Sequence, residues 1–227
     1  MPKTPEGWDF VISRVELNFG EFLNAIPQDS PILDVPCGVG YLEYYLLKKG
    51  FTKIHAVDLS EEQIQVAKSK LREYGHEFDG KVEFHVADAF EYLKKGHSYA
   101  AIAMIDFLEH LEKDKILEIL GLSYDALQPG GFLFLRVTSA DNPMWGRFFY
   151  RDFTHVTPFT PDSLHQCLRA TGFEVIKVDY EVLPRICGSW IIKLKQSIRY
   201  RGLWFLGKFL GIPPQAFTEA LIAVAKR

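Results

Sequence analysis

The residues able to do chemistry in this 227-residue chain recur at the ends of apolar runs, and the first such group sets the pattern. Asp34, Pro36, Cys37, Gly38 and Gly40 close the run that begins Ile32–Leu33. Gly38 and Gly40 lack a Cβ, so they permit positive φ and let a ligand approach the backbone closely. Tyr41–Leu47 then has helical spacing, and a helix starting there aims its free N–H groups at the same spot. Asp58 ends a second apolar run 18 residues beyond Gly40. In a doubly wound sheet an acid so placed accepts hydrogen bonds from ribose hydroxyls. Asp88 and Asp106 end two further runs, Glu109–His110 follow Asp106, and Asp152 precedes His155. Imidazole, with an ordinary pKa of ~6.5, is the side chain suited to carrying a proton near neutrality.

The elements that must hold these residues alternate along the chain. Phe10, Val11, Val15, Phe19, Phe22, Leu23 and Ile26 recur at helical spacing up to Pro27, so residues 5–28 read as an N-terminal helical cover. Strands are expected at Lys53–Asp58, Lys81–Asp88, Tyr99–Asp106, Phe132–Val137, Phe173–Leu183 and Thr218–Ala225. Helices are expected at Glu61–Tyr74, Lys113–Leu127 and Thr160–Ala170, with Ser60 and Gln63 forming a capping box. Tyr99–Asp106 is almost continuously apolar, as the centre of a parallel sheet requires. His85 reads as an ordinary strand residue.

A dinucleotide site wants G-x-G-x-x-G, but Glu43 stands where the last glycine should be. The order Asp34-x-Pro36-x-Gly38-x-Gly40 instead resembles motif I of class I S-adenosylmethionine (SAM)-dependent methyltransferases, with Pro36 replacing the first glycine. Asp106–Phe107–Leu108–Glu109–His110–Leu111 resembles the family's D-x-x-E-H-L segment, and Leu127–Leu133 its L-x-P-G-G-x-L. The resemblance covers about Ser30 to Thr138. It implies a Rossmann-like seven-stranded mixed sheet of order 3-2-1-4-5-7-6, strand seven antiparallel, with helices on both faces. It also implies SAM as cofactor, S-adenosylhomocysteine as product, and cofactor contacts from the motif I residues. Asp58 would bind the ribose, Leu59 would touch the adenine, Asp88 would lie near its amino group with Ala89 beside the ring, and Asp106 and Phe107 would border the methionine portion. The N/D-P-P-Y/F signature of amino-base methylation is absent at that position, which disfavours nucleic acid as acceptor.

Asn142 to Thr160 is irregular and rich in aromatic, Arg, Asp and His residues, and a loop beyond the fifth strand lies over the crevice. Its R-D-x-T-H-V-x-P-F-T string resembles methyltransferases of bacterial surface-polysaccharide and glycolipid gene clusters. The expected reaction is methyl transfer to oxygen of a small molecule, sugar or lipid-linked glycan. His155 is the expected base, oriented by Asp152 or an equivalent acid, and His110 is the next candidate. A structural hydrogen bond pinning the loop is the alternative role for His155.

Composition bounds the rest. With 48% hydrophobic and 24% charged residues the chain suits one globular domain spanning residues 1–227. Neither a secretory leader nor a run of the ~20 apolar residues a span needs is recognisable. Cys37, Cys167 and Cys187 are scattered, fitting a reduced cytoplasm, and no metal site is expected. The net charge is −3, yet Val182–Thr218 holds no acid and six basic residues, leaving 20 Lys+Arg against 29 acids elsewhere. This basic, aromatic insertion at 184–216 sets Ile191, Leu194, Ile198, Phe205, Phe209 and Ile212 on one helical face beside Trp190, Trp204, Lys193, Arg199, Arg201 and Lys208. Such a face suits peripheral contact with an anionic membrane, at its cytoplasmic side; a cover buried on the domain or in a dimer is the alternative. Two rival classes stand beside the enzyme: a catalytically silent SAM-fold binding subunit, which Pro36 encourages, and a NAD-linked oxidoreductase, which the glycine spacing opposes.

Overall fold

The computed structural model describes residues 5–73, 75, 78–184, 201–209 and 211–227. Seven strands form one sheet: β1 (Ile32–Asp34), β2 (Ile54–Asp58), β3 (Val82–Val86), β4 (Tyr99–Ile105), β5 (Leu127–Thr138), β6 (Glu174–Tyr180) and β7 (Ala220–Lys226). Their order is β3-β2-β1-β4-β5-β7-β6, as expected from the sequence. The β1–β5 pairings are parallel, and β7 runs antiparallel between β5 and β6.

Successive strand residues point to opposite faces, so the apolar runs feed two cores. Ile32, Ile54, Phe134 and Val224 pack with Phe19, Leu23, Leu42, Leu46 and Ile64 on one side. These come from α1 (Pro5–Leu23), α2 (Tyr41–Lys48) and α3 (Glu61–Glu73). Leu33, Ile102, Leu133 and Leu135 pack with Ile116, Ile119, Leu120, Leu164 and Leu168 on the other. There the helices are α4 (Ala89–Leu93), α5 (Lys113–Ala126) and α7 (Pro161–Ala170). A short α6 (Trp145–Phe149) interrupts the irregular loop.

Two boundaries differ from the sequence reading. The first helix stops at Leu23, and Ala25 and Ile26 donate to the carbonyls of Phe22 and Leu23 in tighter turns before Pro27. Pro129–Gly130–Gly131 does not precede β5 but bulges within it, because Tyr99 pairs with Leu127 and Ala101 with Phe132. Gly130 takes φ +79 in that bulge. Within the insertion, residues 201–209 are helical and Gly207 lies inside that helix. A Cβ at Gly207 would stand 2.6 Å from the Ile212 carbonyl oxygen, so this glycine admits a close return of the chain and does not break the helix. Trp190, Ile191, Lys193, Leu194, Ile198 and Arg199 lie outside the described residues.

Candidate functional site

The carboxyl ends of β1, β2 and β4 meet at the glycine turn. Val35 N–H donates to the Ala103 carbonyl at 3.0 Å and Cys37 N–H to that of Val57 at 2.8 Å, tying the turn to both neighbouring strands. The Val35–Pro36 peptide is cis, and Gly38 and Gly40 take φ +52 and +87. A Cβ at Gly40 would sit 3.0 Å from Ala67 Cβ, so this glycine lets α3 pack against the turn. At Gly38 nothing lies within 4 Å of the missing Cβ. That open cradle lies beside Asp58, whose Oδ2 accepts Gly38 N–H and whose Oδ1 accepts Ser60 N–H, both at 2.8 Å. Leu59 next to it is exposed. Asp88 caps α4, its Oδ1 accepting from Phe90 and Glu91 N–H.

The turn's own acids and thiol are directed inward. Cys37 is in the core and its N–H is used by β2, so its side chain offers nothing to the crevice. Burial pushes its thiol up. Asp34 and Glu43 are buried together beneath the turn. Burial first, then Glu43 and Asp58, drive the Asp34 carboxyl well up; burial takes that of Glu43 to about 7. Two bare charges in that dry space would repel, which favours the protonated form of the pair.

Asp106 sits at the end of β4 with φ +54, unusual for a residue with a Cβ. Its N–H donates to the Arg136 carbonyl, and its Oδ1 accepts from the Arg136 guanidinium. Arg136 also forks onto buried Glu181 through Nε and Nη2, at 2.8 and 3.1 Å. Arg14 of α1 reaches the same carboxylate at 2.6 Å. Burial alone would raise Glu181, but the two guanidiniums outweigh it and hold the carboxyl below its usual range. Phe107 begins the turn Leu108–His110.

His110 and His155 come together, with ring centroids 4.7 Å apart. Thr154 Oγ1 donates to Asp152 Oδ1 at 2.7 Å, so its oxygen is left to accept from His110 Nδ1 at 2.9 Å. His155 Nδ1 lies 2.9 Å from the Phe149 carbonyl, which can only accept. These partners favour Nδ1 as the donor in each ring, and a neutral ring so arranged would turn an Nε2 lone pair outward. The expected orientation of His155 by Asp152 is corrected. The Asp152 carboxylate turns back onto the N–H and hydroxyl of Thr154, the local geometry Asp favours two residues ahead. It thereby supports His110, while α6 holds His155.

A protein-family model for a methyltransferase domain matches residues 8–178. The chain belongs to the class I SAM-dependent methyltransferase family. It is 29% identical over 145 residues to the demethylmenaquinone methyltransferase of Leptospira interrogans, covering 62% of this chain and 54% of that one. To the ubiquinone biosynthesis O-methyltransferase of Idiomarina loihiensis it is 28% identical over 137 residues, covering 60% and 53%. The chain thus spans about half the length of these curated relatives. A solved SAM-dependent methyltransferase from Archaeoglobus fulgidus shares the fold, with a TM-score of 0.69 at 20% identity over 97% of this chain and 94% of that one.

In keeping with that family, the crevice presents donors and acceptors that suit SAM. The Gly38 cradle is open, Asp58 stands over it with both oxygens toward backbone N–H groups, and α2 begins at Gly40 without a side-chain cap, so the positive end of the helix faces the turn. Four residues of this methyltransferase escaped sequence reasoning as site residues: Glu43, Glu109, Arg136 and Glu181. Glu109 had a signal, as the acid of D-x-x-E-H-L. Its backbone carbonyl accepts from Val156 and Thr157 N–H, and its side chain accepts from Thr138 Oγ1 at 3.0 Å. Glu109 Oε2 has no hydrogen-bond partner among the described residues. Burial, then the Asp106 charge, pushes its carboxyl up to about 7.

Proposed function

We propose that this chain is an O-methyltransferase for a small-molecule, sugar or lipid-linked glycan acceptor. The observation that carries it is the His110–His155 pair, two imidazoles brought together at the carboxyl end of the sheet from the turn after β4 and the loop after β5. SAM supplies the electrophilic methyl group when bound. Asp58 and Asp88 would hold its ribose and adenine, Leu59 and Ala89 would flank the ring, and Asp106 and Phe107 would line its amino-acid end. His155 would take the acceptor hydroxyl's proton on Nε2, with the Phe149 carbonyl stabilising the positive ring through Nδ1–H. Met144, Tyr150, Phe153 and Val156 stand exposed on the same loop, suiting an acceptor with an apolar or ring surface. Relatives named as a demethylmenaquinone methyltransferase and a ubiquinone biosynthesis O-methyltransferase support a small-molecule or lipid acceptor.

Calorimetric titration with S-adenosylhomocysteine, with NAD alongside, tests the cofactor. We expect micromolar binding of the first alone. Asp58→Ala should weaken it at least ~100-fold, because hydrogen bonds to a charged group contribute ~1.5–3 kcal/mol each. Failure of the wild type to bind would bring the silent-subunit reading forward.

Peripheral membrane contact is favoured by the described part of the insertion. Trp204, Phe205, Leu206 and Phe209 of the helix at 201–209 are exposed, with Phe209 at 86%. Lys208 reaches over the Trp204 ring, and Arg201 adds a second cation. No helix among the described residues is long and apolar enough to cross a membrane. Sedimentation with phosphatidylglycerol vesicles should pull the protein down at low salt and release it at high salt. Equal recovery with purely zwitterionic vesicles would reject charge-assisted docking.

A further inference from the structure

Away from the crevice, the register of β2 and β3 gathers a second set of side chains. His55 pairs with Glu83 and Val57 with His85. Directly opposed residues share a sheet face, as do residues two apart along a strand, so His55, Glu83 and His85 project together on the α4 side, at the β3 edge. One ligand atom from each lies within 4.8 Å of the others. His85 Nε2 is 3.7 Å from Glu83 Oε2, and it is buried without a hydrogen-bond partner among the described residues. We propose that these three residues bind one divalent transition-metal ion of the zinc class.

The donor set is chemically apt: two imidazoles and a carboxylate are the ligand types that zinc takes in open, three-residue sites. Bonds of ~2.0–2.1 Å place tetrahedral ligands ~3.3 Å apart. The Glu83–His85 pair is already close to that separation, and the His55 ligand atom lies within 4.8 Å of both. The surrounding shell supports it. Tyr92 and Tyr99 place their hydroxyls 2.9 and 3.1 Å from His55 Nδ1, the outer contact that fixes the tautomer of a metal-bound histidine and leaves Nε2 for the ion. His97 stacks on Tyr92 at 5.3 Å, with its ring 5.8 Å from that of His55. It is exposed and stands outside the three-residue cluster, which leaves the fourth position to water. Along β2 the site lies three residues, ~10 Å, before Asp58 and on the opposite face, so the ion would clamp β2 to the edge strand without entering the crevice.

The test uses the untagged, full-length, chelator-treated protein, titrated with zinc chloride by calorimetry and with cobalt chloride followed by visible absorption. One equivalent should bind, the melting temperature should rise with zinc, and the cobalt form should show ligand-field bands without a sulfur charge-transfer band. Glu83→Gln and His85→Gln should each weaken binding at least ~100-fold, given that loss of outer-shell partners alone costs 10–100-fold. Their metal-free melting and S-adenosylhomocysteine affinity should match the wild type, which separates loss of ligands from loss of fold. Absence of binding, equal binding by the Glu83→Gln/His85→Gln double variant, or a thiolate band would each overturn the proposal.

Discussion

Arg136→Ala is expected to lower folding stability by about 3–5 kcal/mol, the cost of removing one partner from a buried ion pair. The guanidinium lies among Glu181, Asp106 and, through Glu181, Arg14. Without it the buried Glu181 carboxylate keeps, among the described residues, only Arg14. Asp106 meanwhile loses the side-chain contact that holds its left-handed backbone. The same change should therefore weaken S-adenosylhomocysteine binding as well as the fold, since Asp106 borders the crevice. Arg136→Lys should recover only part of either quantity: a point charge cannot fork onto Glu181 and reach Asp106 together. Chemical unfolding of Arg136→Ala, Glu181→Gln and the double variant forms a cycle. A loss below ~1 kcal/mol for Arg136→Ala, or a coupling near zero, would show that the network does not organise this end of the sheet.

What the sequence made legible follows from which interactions are local. Ile32–Asp34, Ile54–Asp58 and Tyr99–Ile105 carry their strand character in the run itself, and Gly38 and Gly40 announce their φ by being glycine. The sheet order then follows from family resemblance, and the register from burying those runs. The bulge at Gly130 was not legible, because Pro-Gly-Gly serves equally as a turn before a strand or as a kink inside one. The Arg14–Glu181–Arg136–Asp106 chain was hidden for a different reason. Its members lie 30 to 167 positions apart, and each alone is an ordinary charged residue. Asp152 shows the opposite failure: its closeness to His155 suggested a pair, but Asp makes a shorter-range bond to its own turn before it can reach a neighbour. His55, Glu83 and His85 became a group only when parallel pairing set 55 against 83.

His155→Ala should reduce kcat by ~10²–10⁴, the usual worth of a positioned base, on the acceptor that a methyl-transfer screen identifies. S-adenosylhomocysteine affinity should remain unchanged, because the loop does not build the cofactor turn. His110→Ala should cost less. Its Nδ1 is tied to Thr154 and through it to Asp152, and in this reading it supports the loop and the field around His155. The two roles of His155 separate by measurement. If its bond to the Phe149 carbonyl only pins α6, His155→Ala will lower the melting temperature and raise KM while kcat survives. If it is the base, kcat falls even where melting does not. Retention of most turnover by His155→Ala with a large loss in His110→Ala would transfer the base to His110, and Asp152 would then be its orienting acid through Thr154. Retention by both would remove histidine from the proton transfer. Glu109 would then be the candidate: its carboxyl is raised to about 7, its Oε2 is unpaired among the described residues, and its backbone carbonyl grips the loop at Val156 and Thr157.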